Sequence, residues 1–227
     1  MDNNHKRRVG GRMKRYLKLV PILILLLLII ETVPVKSYYN SDNFYLLEEK
    51  INGYSNFIEN GVRLEYSTKN SINDEILKLK AGIEKQFNEK VNIDKNTIIL
   101  EKDNKEIKVI VWDNEEDTKV QINYLNNNSK ITTNQMKKEL VQLEDFATQN
   151  IKYFHFIKVK IIKEREQNIL DLLRSNVKKE TLEELNIYNG KVSKGVLIDG
   201  SKINFSFMKY NDEEYLVIGT PVIFITY

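Results

Sequence analysis

Two histidines, one run of acids and many serines are the side chains here that could do chemistry. His5 lies among basic residues near the N-terminus, and His155 alternates with Tyr153 and Ile157 in an apolar stretch. A metal centre or a general base needs partners converging on the imidazole, and none lies at ligand spacing from His155. Its setting is that of a packed or partly exposed strand histidine. The run Asp113-Asn114-Glu115-Glu116-Asp117 has the acids for calcium but lacks the glycine and the spaced ligands of an EF-hand, so it reads as a solvated hairpin loop. No serine sits in a nucleophile elbow, and no glycine-rich phosphate loop occurs. The sequence names no catalytic residue, no metal ligand and no cofactor, and an enzyme is not the expectation.

Binding is better served. If Ile107, Val109 and Val111 point to a core, then Glu106, Lys108, Ile110 and Trp112 face the other way. By the same alternation Lys119, Gln121, Asn123 and Leu125 share that face, as do Asn204, Ser206 and Met208. The face mixes amides, a few charges and apolar groups. Trp112 is the one tryptophan of the chain, a residue type enriched where partners dock. Trp112, Ile110, Lys108 and Met208 are therefore the candidate binding residues on an open sheet face; the plainer reading has Trp112 covering a sheet edge or packing on a loop.

The elements that position these residues follow from periodicity. Phe44, Leu47, Ile51, Tyr54 and Ile58 form the stripe of a first helix, with Ser41 or Asp42 to cap it and Gly61 to end it. Val62, Leu64 and Tyr66 alternate as a strand. Ser71 to Asp74 caps a second helix with the stripe Ile72, Ile76, Leu79, Ile83 and Phe87. Three strands follow, at about Thr97 to Glu101, Glu106 to Trp112, and a third carrying Val120, Ile122 and Tyr124. After the polar tract Asn126 to Lys130 the order repeats. A helix from about Asn134 to Asn150 has Thr132 and Gln135 as a capping box, and a strand runs from Ile151 to Ile162. Helical sequence spans Arg165 to Asn176 and also Lys179 to Leu185. Strands then follow from Val192 to Ile198, around Ile203 to Phe207, from Tyr215 to Gly219 and from Val222 to Tyr227. The last, apolar on both faces, is expected inside the sheet, and the two halves are expected to share one core.

This organisation predicts an α+β domain, a pseudo-two-fold repeat of α-β-α-β-β-β. Its halves, about 41–126 and 132–227, form one curved antiparallel sheet with helices on one face. Ahead of it, residues 1–37 form a leader. Seven basic side chains and one acid occupy the first 18 residues, and Leu19 to Ile30 is apolar throughout. The basic flank stays inside, which places the 38–227 domain outside the cytoplasm. The short apolar run favours a signal peptide cut after Ser37; stretched from Leu17 to Val35 it serves instead as a membrane anchor. Without cysteine the chain has no disulfide and no lipidated cysteine. Residues 1–37 hold 8 basic and 2 acidic side chains, leaving 27 basic and 30 acidic over 38–227, a net charge of −3. Nucleic-acid binding requires the opposite sign.

The closing stretch Tyr215-Leu216-Val217-Ile218-Gly219-Thr220-Pro221-Val222-Ile223-Phe224-Ile225-Thr226-Tyr227 resembles the end of the YwmB family, exported Gram-positive proteins labelled TATA-box-binding-like. Glu59 to Tyr66 also looks like that family's first helix-to-strand junction. The resemblance implies a fold similar to the saddle of the TATA-binding protein and carries over no catalytic residue. Gly219-Thr220-Pro221 reads independently as a structural corner, since glycine permits a kink and proline removes a ladder donor.

Together these readings lead to a non-catalytic, extracytoplasmic binding or interaction domain, secreted or anchored to the outer face of the cytoplasmic membrane through its N-terminal segment. Its expected partner is a cell-envelope protein or a wall polymer. A DNA-binding protein, as the family label suggests, is the disfavoured alternative; a cell-wall hydrolase is the other.

Overall fold

The structure is a computed structural model, and it describes residues 42–225. All of these fall in one compact unit, Tyr38–Tyr227. The leader, its cleavage or retention, the Ser41 cap and the terminal pair Thr226-Tyr227 lie outside the described residues. No helix among the described residues is long and apolar enough to cross a membrane.

The elements in chain order are α1 (Asp42–Tyr54), β1 (Ser55–Thr68), α2 (Ile72–Phe87), β2 (Asn92–Asp94), β3 (Thr97–Lys102), β4 (Lys105–Asn114) and β5 (Asp117–Asn126). Then come α3 (Thr133–Val141), β6 (Gln149–Ile161), α4 (Glu166–Asn176), β7 (Glu183–Ile187), β8 (Gly190–Val196), β9 (Lys202–Tyr210) and β10 (Glu213–Thr220). The ten strands form one antiparallel sheet in the order β2-β3-β4-β5-β1-β6-β10-β9-β8-β7. β1 and β6 pair at its centre, and the four helices pack on one face.

Capping fixes the helix starts as the sequence predicts. The Ser71 hydroxyl accepts from the Asp74 amide at 3.2 Å, and Thr132 and Gln135 form a reciprocal box. Several boundaries differ. α1 stops at Tyr54, and the chain turns directly into the 14-residue β1, so Ile58 and Gly61 belong to a strand. Ile58 kept helical phase by accident; it occupies a bulge, where the pairing with β6 shifts between Phe57 and Glu59. α3 ends at Val141 rather than Asn150. Asp145 and Thr148 divert the backbone there: the Asp145 amide donates to the Thr148 hydroxyl at 3.0 Å and the Ala147 amide to the Asp145 carboxylate at 2.9 Å. Lys179 to Leu185 is not a helix; after one 3-10 turn, Lys179–Thr181, it becomes the edge strand β7. With β2 on the opposite edge, the first half has one strand more than expected, and the second keeps five because β7 is gained where Val222 to Tyr227 is not a strand.

The core is two clusters rather than one. The first joins β1, β3, β4 and β5 with α2, and is closed by Met136, Leu140 and Leu143 from α3 and the loop after it. The second joins β6, β9 and β10 with α4, and is closed by Phe44, Leu47 and Ile51 of α1. Each half therefore finishes the other's core with its own leading helix. A buried polar junction ties those helices together. The Glu48 carboxylate of α1 accepts from the Thr133 amide (3.1 Å), the Thr133 hydroxyl (2.5 Å) and the Asn60 amide group (3.0 Å). Asn126 of β5 donates to Asn60 at 2.8 Å.

The segment after β10 is the largest departure. Val222 to Ile225 forms no strand, and Val222 is 46% exposed. Beyond the cis Thr220–Pro221 bond the chain crosses the face opposite the helices. Asn204 donates to the Pro221 carbonyl at 2.5 Å and Arg63 to the Phe224 carbonyl at 3.1 Å. The Phe224 ring meets Phe156 edge-on at 5.0 Å, beneath the Arg63 guanidinium at 4.6 Å. Two glycines make room. A Cβ on Gly61 would lie 2.3 Å from the Phe156 ring, and one on Gly219 would lie 3.0 Å from Ile223.

Candidate binding cleft

The helix face is covered unequally. α2 has 16 residues and lies over β3 and β4; α4 has 11 and leaves part of β8 and β9 uncovered. The shortfall leaves a cleft of about 650 Å³ between α4, the 3-10 turn and the sheet. Its floor is Phe205 and Phe207, whose rings meet edge-on at 6.2 Å, and its wall is Leu170, Leu173 and Val177. Charges stand at the rim. Lys191 is held by Glu184 at 2.6 Å and Arg174 by Asp171 at 3.4 Å, while Lys179, Glu166 and Glu214 complete the margin. An apolar floor of this volume with polar groups at the mouth is the usual form of a small-ligand site. It can hold an apolar body and leave a polar end at the rim.

The four binding residues named from sequence are not together. Lys108, Ile110 and Trp112 form a row on β4, on the face without helices, with Trp112 41% exposed. Trp112 borders a shallow hollow of about 160 Å³ with Glu65, Lys119 and Lys152. Met208 is on β9, five inter-strand steps away, or about 24 Å. It is buried, opposite Tyr215. The tail crosses the sheet between them. The face also carries more charge than its outer strands suggested, since β1 and β6 add Arg63, Glu65, Lys152, Lys158 and Lys160.

The remaining chemical candidates resolve as packing. His155 is buried on the helix face, edge-on to Tyr45 at 5.4 Å and near Phe44 and Tyr153. Burial, with a smaller contribution from the Lys137 charge, lowers its pKa to about 3. The acidic run is the β4–β5 turn, with Asp117 paired to Lys69 at 2.6 Å. Two buried glutamates were not anticipated. Burial raises the pKa of Glu48, against the opposing hydrogen bonds from Thr133 and Asn60. Glu75 accepts from the Tyr66 hydroxyl at 2.5 Å and pairs with Lys78 at 2.5 Å, and burial together with that carboxylate pushes the phenol far up. The signal for both was present: Glu48 follows Phe44 by four positions, Glu75 precedes Leu79 by four, and each carboxylate thus lies in the phase of an apolar stripe. No family model matches the chain, and no curated protein does.

Proposed function

We propose that the chain is a non-catalytic, extracytoplasmic binding domain of the YwmB kind that takes an apolar ligand with a polar end into the cleft beneath α4. The observation that carries the reading is the cleft itself, about 650 Å³ with an aromatic floor and a charged rim. The basic leader followed by an apolar run supports export. A pseudo-two-fold repeat and a saddle-like curvature are part of the proposal. They draw support from an element order that recurs after Asn126 and from strand orders that mirror each other about the β1–β6 pair. A cell-envelope protein or wall polymer remains the partner class for the exposed surfaces. DNA binding is disfavoured on two grounds: the net charge of −3 over 38–227, and the tail across the centre of the face a saddle would use.

Photo-crosslinking in cells producing the full chain tests the site. A benzophenone side chain in place of Leu170, inside the cleft, should capture a ligand identifiable by mass; one in place of Trp112 should not. Capture from position 112 alone would move the site to the opposite face.

A further inference from the structure

We propose that the β7 edge is a self-association surface, joining two copies of this chain antiparallel into one continuous sheet. β7 is the free end of the ten-strand order, and all five of its residues are exposed. Its sequence, Glu183-Glu184-Leu185-Asn186-Ile187, has no lysine, no proline and no bulge to blunt the edge, and its two charged side chains are both glutamates. The opposite edge, β2, is protected by being three residues long. Leu185 is 66% exposed, Ile187 37%, and Tyr188 at the hairpin tip is fully exposed.

The occupant follows from charge and register. Both β7 carboxylates are neutralised within the chain, Glu183 by Lys194 at 2.9 Å and Glu184 by Lys191 at 2.6 Å. A second copy therefore meets no unpaired charge. Residues facing each other across an antiparallel pair share a sheet face, so a two-fold axis perpendicular to the sheet must pass midway between the two copies of one residue. Centred on Asn186, the pairing sets Leu185 opposite the partner's Ile187 and Ile187 opposite the partner's Leu185. Glu184 then faces the partner's Tyr188, and no glutamate faces a glutamate. Four apolar side chains gather on the helix-free face in this register. Centring on Leu185 instead would set each Ile187 against a Glu183. A five-residue contact falls in the small, transient interface class, so a covalent trap is the proper measurement.

The chain has no cysteine, which makes a single introduced thiol a unique reporter. In cells producing the full chain, Asn186→Cys should form a disulfide-linked homodimer on mild oxidation at least about 10-fold faster than Leu77→Cys, a comparably exposed control on α2. Mixing differently tagged Leu185→Cys and Ile187→Cys chains should give the mixed dimer. Adding Leu185→Lys to Asn186→Cys should reduce cross-linking to the control rate without lowering the melting temperature. Equal rates for Asn186→Cys and the control, or cross-links at position 186 only to other proteins, would overturn the proposal.

Discussion

At the scale of single residues, two buried ionisable groups give stability opposite dependences on pH. His155 has a folded pKa of about 3, below its ordinary 6.5. The unfolded chain takes up a proton that the folded one refuses, so the contribution is complete above the unfolded value and is lost as pH falls through 6.5 towards 3. Urea melts at about pH 7.5 and about pH 4.5 should show the wild type losing roughly 2–3 kcal/mol more than His155→Leu. Parallel losses would mean that the imidazole is protonated in place. Glu48 works the other way. Its folded pKa is raised by burial, so its contribution is greatest below the ordinary value of 4.5 and is lost as pH rises through the folded value. Glu48→Gln, which keeps an acceptor and removes the charge, should be at least as stable as wild type at neutral pH. Glu48→Ala strands the Thr133 and Asn60 donors and should cost about 2–3 kcal/mol. Chemical denaturation of both variants checks this; equal losses would make the charge itself the stabilising part.

At the scale of elements, close packing around Phe156 governs the helix-free face. Gly61→Ala places a methyl group against both the Phe156 ring and the Tyr124 carbonyl, so the strand pair must open, at a cost of about 1–3 kcal/mol. Deleting Val222 to Tyr227 exposes Phe156 and removes the half-buried Ile223, Phe224 and Ile225; about 2–4 kcal/mol should be lost in a thermal melt. A truncated chain melting with the full one would make the tail superficial. The same elements show what was legible beforehand. Strand alternation through β4 and β5 and the caps at Ser71 and Thr132 act within a few residues, and sequence patterns report such local rules faithfully. Ile58, Asp145 and Glu183 misled for a shared reason: the choice there is made by a strand partner or a side-chain hydrogen bond rather than by periodicity. The tail was misplaced because an apolar strip reads alike whether it enters a sheet or lies across one. The cleft was invisible, since it depends on α4 being too short for the strands beneath it, a comparison of lengths between distant segments.

At the scale of the whole molecule, the exchanged helices decide what can fold alone. Residues 41–126 lack the α3 cover for their sheet, and residues 132–227 lack Phe44, Leu47 and Ile51. Neither half should show a cooperative melt by itself, and the two co-expressed should copurify as a folded pair; an independent transition in either half would show that its core closes without the other's helix. The exchange also orders events in time as the chain is made. The first core can close once α3 and Tyr153 have emerged, but the seat of α1 includes Leu216 and Ile218 near the far end. Roughly 165 residues separate Ile51 from Leu216, which at synthesis rates of about 5–20 residues per second is about 10–30 s of waiting. Throughout that interval the apolar side of α1 has only part of its seat, β1 and then β6, so a nascent chain carries a holding site for a chaperone there until almost the last of the described strands is complete.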